Sequence, residues 1–297
     1  MSKRIVDQFF KFVQTREAIR IARASRPREW PWSDDPILNN YHFTNVRRSD
    51  DKGTKWIVEH LGERSMSSHE VLLKTYAYRC LNRLETFVRY GTPRLEDPAV
   101  WVRMLSFAWK QGVIIGSGKH QTHFGRMAKG LNVLAGKRGP AIVRELEWAD
   151  THIGGMRVLM SAGISVGPFI SNQIVSDLAL VGFGNFKKDM PCVVSSGSRI
   201  AVELIRGRAT FESIQRIRDR ARTTGLNFTD LWTSTRRFKE DEDEMKVLQA
   251  LHDDPRARAL RMTYVDIEHS LCEFWKYLNI RQGDGRKNRF HMSKEKS

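Results

Sequence analysis

Cysteine is scarce: Cys80, Cys192 and Cys272 stand far apart with no CxxC pair. That spacing excludes a disulfide framework and a cysteine-built zinc site, and it fits a reducing cytoplasm. No apolar run reaches the roughly 18 residues a spanning helix requires, so no membrane partner is expected. Carboxylates are in deficit, with 34 Asp and Glu against 50 Lys and Arg. A Walker A sequence is missing, and GFGNF (182–186) lacks the strand-to-helix setting of a dinucleotide fold. ATP and NAD are therefore unsupported, and no cofactor is expected. His120 and His123 lie three apart with His152 beyond them, but no carboxylate or thiol joins them at ligand spacing, so no metal is expected.

What is present is a core and a charge. Hydrophobic residues make up 40% of the 297, enough to fold around. The formal +16 points to a polyanion, with nucleic acid ahead of an anionic membrane. The opening stretch RIVDQFFKFVQTREAIRIARAS (4–25) is amphipathic and Arg-bearing, as a transit peptide or membrane-surface helix would be. Asp7 and Glu17 favour an ordinary helix facing a core.

Helical spacing dominates the rest of the chain. PREWPWSDDP (27–36) turns it, and periodicity then runs from Ile37 to Tyr90. Gly91–Pro98 breaks the pattern, Ala99–Lys110 resumes it, and QGVIIGSGKHQTHFG (111–125) reads as a loop or a short strand pair. Helices are expected at 141–148, 156–162, 199–205, 211–223, 227–237, 244–252 and 265–277. KEDEDE (239–244) reads as a solvated helix start favoured by the helix dipole. The expected organisation is a single helical domain of two intimate lobes over 1–280, followed by a basic polar tail over 281–297.

The sharpest local signal is VLMSAGISVGPFISNQIVSDL (158–178). One helix runs into Gly163, a turn holds Gly167, and a second helix begins at Pro168. In a helix-hairpin-helix, glycine lets backbone N–H groups approach a DNA phosphate at the positive end of the second helix; the alternative is a plain helical corner. NNYHFTNVRRSDDKGTKWI (39–57) concentrates Asn45, Arg47, Arg48, Asp51, Lys52 and Thr54, either as a recognition cluster or as a solvated face with local ion pairs. YRCLNRLETF (78–87) repeats that character with Arg79, Asn82, Arg83 and Glu85. In VDIEHSLCEFWKY (265–277), Asp266, His269, Glu273 and Lys276 share one helical face, which is surface or pocket. Cys272 is read as a buried structural thiol.

Several of these segments, in this order, resemble one family: REAIRIARASRPREWPWSDDPILNNYHFTNVRRSDDKGTKWI, YRCLNRLETF, GPFISNQIVSDL and DIEHSLCEFWKY. They look like the alpha-glutamyl/putrescinyl-thymine pyrophosphorylase group, shared with the helical domain of 5-hydroxymethyl-deoxyuridine DNA kinases and distantly like helix-hairpin-helix DNA glycosylases. The resemblance implies a mainly α, multi-helical glycosylase-like fold that acts on modified phage DNA in the cytoplasm of an infected bacterial host. No phosphate-binding kinase domain accompanies it in this sequence, so DNA kinase activity is not expected. The pattern departs at SSGSR (195–199), where relatives tend to show a Gly-Pro-Gly-Ser-like turn. Gly197 survives, but serine stands where glycosylases carry their catalytic Asp, with Asp189 slightly upstream.

The leading expectation is an amino-acid:DNA transferase working on duplex DNA. A phosphorylated 5-hydroxymethyl-uracil is flipped out, and an amine, with glycine favoured, displaces the (pyro)phosphate. Arg47, Arg48, Arg79 and Lys276 are candidates to hold the leaving phosphate. Asn45, Asn82, Asn172 and Gln173 are candidates to read the base. Gly167, Phe169, Lys187 and Lys188 are candidates for the DNA backbone. Asp189, Asp266 or Glu273 takes the proton of the attacking ammonium, with His269 in reserve. The runner-up is a glycosylase excising a bulky pyrimidine through Asp177 or Asp189. A non-catalytic DNA-binding module is the third reading.

Overall fold

A computed structural model describes residues 1–26, 29–62, 66–117, 122–224 and 242–283. These residues form fifteen α-helices and one short 3₁₀ turn, with no strand among them. They divide into two compact units: Met1–Arg48 with the chain from Val193 onward (the terminal unit), and Ser49–Cys192 (the central unit).

The terminal unit begins with α1 (Lys3–Ser25), which buries Val6, Phe9, Phe10, Phe12, Val13 and Ile19. Helix α2 (Pro36–Asn40) starts where Asp35 Oδ1 accepts from the N–H groups of Ile37 and Leu38 at 2.8 and 3.2 Å, with Pro36 at the first helical position.

The central unit holds α3 (Lys52–Leu61), α4 (Ser68–Leu81), α5 (Leu84–Tyr90), α6 (Pro98–Lys110), α7 (Phe124–Ala135), α8 (Gly139–Trp148), α9 (His152–Ser161) and α10 (Pro168–Val181). Helix α4 is its axis. A Ser67/Glu70 capping box starts it, and Asn82 ends it in the left-handed region at φ 49°. Every residue from Val71 to Leu81 except Lys74 is buried, as expected of a helix apolar nearly all round. Leu72, Leu73 and Leu81 are fully enclosed, and each stabilises the unit by about 1.5–3 kcal/mol through burial. Helices α3, α7, α8 and α10 pack around it. Trp56, Tyr78 and Phe87 form an aromatic cluster with centroids 5.0–5.5 Å apart.

The chain then returns to the terminal unit with α11 (Ser196–Arg206), α12 (Phe211–Thr224), α13 (Glu242–His252), α14 (Pro255–Ala259) and α15 (Tyr264–Arg281). Helices α11 and α15 make the most extensive pair. A Cβ on Gly197 would come within 2.7 Å of Cys272 Sγ, so glycine sets how near they approach. Phe274 of α15 packs on Phe9 and Phe12 of α1, with centroids 5.6 and 5.5 Å away.

Several helices start earlier than apolar spacing predicts, because polar caps rather than hydrophobic residues set their first turns. Thr151 Oγ1 accepts from Gly154 N–H at 3.1 Å and begins α9 four residues before Met156. The acidic run also differs from a solvated helix start. Glu244 is buried and takes both Nε and Nη2 of Arg199, at 2.6 and 3.0 Å, while Asp243 pairs with Arg206. The helix expected at 227–237 and residues 284–297 of the expected tail lie outside the described residues.

Candidate functional site

The α9–α10 hairpin lies wholly in the central unit. Gly163 adopts φ +75°, which glycine alone takes at no steric cost, and Ser165 follows at φ +60°. A left-handed non-glycine residue held in a turn is strain of the kind that gathers at functional sites. The turn is held from beneath: Tyr76 OH donates to the Ile164 carbonyl at 2.8 Å. A Cβ on Gly130 of α7 would overlap both that hydroxyl and that carbonyl, so glycine admits the contact. Arg138 Nη1 stands 3.5 Å from where a Gly163 Cβ would be, which puts a guanidinium beside the turn.

Gly167 is the N-cap of α10 and offers no side-chain acceptor to its first turn. Its φ of −94° and ψ of 178° suit any residue, and nothing lies within 4 Å of a Cβ built there. The protein itself therefore does not require this glycine. The open space lies at the positive end of a 14-residue helix, where first-turn N–H groups have no intrahelical partner. Phe169 is 44% exposed beside it. Beyond α10, Phe186 packs against Gly155 of α9, and Lys187, Lys188 and Asp189 follow in an exposed turn.

Behind the hairpin runs a buried polar seam. Arg79 of α4 donates through Nη2 to Asp177 Oδ1 of α10 at 2.7 Å, and through Nε to Asp177 Oδ2. Its Nη1 donates to Asn82 Oδ1 at 3.0 Å. Burial works against the guanidinium charge, but Asp177 outweighs it and holds the Arg79 pKa above its usual value. Next to Asp177 in the chain, the Ser176 hydroxyl donates to the Asn172 carbonyl at 2.7 Å and faces His152 Nε2 at 3.3 Å. Asn172 is 4% exposed, and its side-chain oxygen accepts no hydrogen bond. An orphaned buried acceptor of this kind costs about 1–3 kcal/mol. Gln173, its neighbour, is half-buried.

The terminal unit gathers a second set. Asp266 Oδ1 accepts from Arg48 N–H at 2.7 Å, while Oδ2 accepts from Thr263 N–H and Oγ1, both at 2.9 Å, as the cap of α15. Burial raises its pKa in spite of these donors. Arg47 pairs with Glu17 of α1 at 3.2 Å. Glu273 accepts from Thr44 N–H at 3.2 Å and lies 3.3 Å from Lys276 Nζ. Burial alone would raise its pKa, but Lys276, Arg16 and His269 more than offset that and hold it below the usual glutamate range. Lys276 also stands 4.8 Å over the Phe43 ring and donates to the His42 carbonyl. Asn45 and His269 are half-buried. A cleft of about 730 Å³ in this unit brings Lys11 and Arg281 together with Asp34 and Asp35, and Tyr277 OH donates to Asp35 Oδ2 at 2.7 Å.

The expected site residues thus fall into two sets. Arg79, Asn82, Gly167, Phe169, Asn172, Gln173, Asp177, Lys187, Lys188 and Asp189 belong to the central unit; Asn45, Arg47, Arg48, Asp266, His269, Glu273 and Lys276 belong to the terminal unit. Sequence reasoning missed Glu268, which is 5% exposed and accepts from Ser195 N–H at 3.0 Å and Ser198 Oγ at 2.7 Å. It holds the SSGSR turn from a helix some seventy residues away, and spacing carries no signal for that. Cys272 is half-buried, and burial raises its pKa. Among the described residues, no group of three or more His, Cys, Asp or Glu side chains converges as a metal site, and no helix is long and apolar enough to cross a membrane. His120 lies outside the described residues.

No solved structure matches the chain. Among curated proteins, a 5-hmdU DNA kinase of Bacillus phage SP10 is 34% identical over 84 residues, which are 27% of this chain and 13% of that kinase. The match thus spans a small part of its relative. A far longer match, over residues 3–287, is to the family described as "5-hmdU DNA kinase, helical domain". On that match, which takes in both units and the hairpin, the chain belongs to the family of 5-hmdU DNA kinase helical domains.

Proposed function

We propose that this protein modifies phage DNA, binding the duplex through the α9–α10 hairpin and acting on an extruded uracil with a substituent at its 5-position. Membership of a family named for a DNA kinase supports DNA carrying a modified uracil as the substrate. The observation that carries the reading is Gly167: an N-cap without a cap, open to solvent at a helix N-terminus, in a turn held left-handed at Gly163 and Ser165. Lys187 and Lys188 add cations in the same unit for neighbouring phosphates. Asn172 supports base reading, because a uracil N–H would satisfy its orphaned oxygen. Asn82, oriented by Arg79, is the second candidate.

The chemical step assigned is displacement. An amine attacks the 5-methylene carbon, a C–N bond forms, and the C–O bond to phosphate or pyrophosphate breaks. The departing group keeps the electron pair, and the new ammonium gives its proton to a carboxylate. Asp266 is engaged through Oδ2 in capping and through Oδ1 by Arg48 N–H, and Glu273 is held by Thr44 N–H and Lys276 with a lowered pKa, so the exposed Asp189 is the better candidate for that proton. An amino-acid donor such as glycine carries an ammonium and a carboxylate.

The test is to incubate the protein with a duplex containing 5-phosphomethyl-uracil and with glycine, then to digest the DNA and weigh the nucleosides. An aminoalkyl nucleoside is the expected product. Free base or abasic sites would replace this reading with excision, and unaltered DNA that still binds would reduce it to a binding module.

A further inference from the structure

From Pro98 to Arg144 the chain carries no Asp or Glu but eight Lys or Arg. In a protein with 34 carboxylates, such a gap leaves a positive excess in this segment, even with Asp97, just before it, 3.9 Å from Arg103. Helix α6 lies in it and is apolar on two sides. Trp101, Leu105 and Ala108 face the core, while Val100, Met104 and Phe107 are 52%, 38% and 67% exposed at spacings of four and three. Trp109 is 57% exposed, and its ring lies 5.9 Å from that of Phe124 at the start of α7.

Cations flank these rings. Arg103, Phe107 and Lys110 follow the i, i+4, i+7 spacing of one stripe, and Arg126 and Lys129 are exposed on α7. Helix α7 also ties this face to the hairpin. Gly130, which touches the Ile164 carbonyl of the turn, is six residues from Phe124, about 9 Å along the helix axis at 1.5 Å per residue.

Trp109 with Phe124 makes an exposed aromatic pair on the side of α6 next to α7, well around the helix from Phe107, and an exposed ring of this size marks an interaction surface. With no carboxylate in the segment, the fitting partner presents flat apolar faces on an anionic chain. We propose that the α6–α7 face binds unpaired nucleotides of a nucleic-acid strand, with Trp109, backed by Phe124, stacking on a base and Lys110, Arg126 and Lys129 meeting phosphates. This deepens the DNA reading by adding a single-strand surface beside the duplex-gripping turn, as an enzyme that unstacks a base requires.

The test compares binding of a dT12 oligonucleotide, a duplex with a three-nucleotide bulge, and a fully paired duplex. Trp109→Ala is expected to weaken dT12 and bulged-duplex binding about 5- to 160-fold, the range for removing one base-aromatic stack, while paired-duplex affinity stays within about twofold. Trp109→Phe is expected to restore most of the affinity, which separates stacking from a folding defect. Arg126→Ala with Lys129→Ala is expected to reduce the dT12 salt slope by about 1.4, or about 0.7 for each phosphate no longer neutralised. Wild-type protein that binds paired duplex but not dT12 overturns this inference and leaves the hairpin reading intact. Trp109-dependent dT12 binding without duplex binding supports it and overturns the hairpin reading. Equal weakening on all three DNAs in Trp109→Ala, or no weakening on any, also overturns it and turns the face toward a protein partner.

Discussion

Gly167→Asp separates the folding role of the hairpin from its proposed role on DNA. The native backbone at this position is ordinary, and a Cβ meets nothing within 4 Å, so the substitution introduces no strain. Asp is a better N-cap than Gly by a few tenths of a kcal/mol, so the midpoint of urea unfolding is expected to hold or rise slightly. The same carboxylate would sit where a phosphate is proposed to dock. At a separation of about 6 Å, like-charge repulsion costs about 0.7 kcal/mol in water and about 2.8 kcal/mol at an effective dielectric of 20, or about 3- to 100-fold in affinity. Gly167→Asn adds similar bulk without charge and is expected to fall between the two. Fluorescence anisotropy with a labelled 20-base-pair duplex at fixed salt reads the effect. If Gly167→Asp unfolds like the wild type and binds the duplex within twofold of it, the hairpin is not the phosphate grip.

Three further outcomes follow from the same geometry. Arg79→Ala strands the buried Asp177 carboxylate and is expected to cost about 3–5 kcal/mol in urea unfolding, whereas Arg79→Met with Asp177→Leu should recover most of that; a double variant no more stable than the single one would show that the pair is not a simple buried ion pair. Because the folded Glu273 pKa is depressed, its contribution is complete above the unfolded value near about 4.3 and is lost as pH falls through the lower folded value. Glu273→Gln should therefore flatten the acid side of the stability profile measured by urea titration between pH 2.5 and 7, and an unchanged acid slope would count against it. Burial pushes the Cys80 thiol up to about 11, so at pH 8 iodoacetamide is expected to leave Cys80 unmodified until urea opens the central unit, as peptide mass mapping would show.

Much of the helical architecture is legible in the amino-acid pattern because apolar residues at 3.6-residue spacing encode buried faces, and α6 and α15 appear close to where that spacing puts them. The hairpin is legible for another reason, since Gly163 and the Gly167–Pro168 pair are local backbone signals. What spacing conceals is pairing across distance. Nothing near Arg79 in sequence announces Asp177, 98 residues away, nor does anything near Arg48 announce Asp266. Arg79 looks like an open phosphate ligand until its carboxylate is seen, Arg47 likewise meets Glu17, and Arg48 is buried. Glu244 looks solvated in an acidic run for the same reason: its buried partner Arg199 lies on another helix. Ion pairs between helices depend on which faces meet, and that is settled by packing rather than by local composition.

The most direct measurement of the central claim is the affinity of the wild-type protein for a 20-base-pair duplex, titrated from 50 to 300 mM salt. Lys187, Lys188 and the start of α10 together predict two to four phosphate contacts, so log K should fall against log salt with a slope of about −2 to −4. A duplex that fails to bind at 50 mM salt, or binding that ignores salt, would contradict the account.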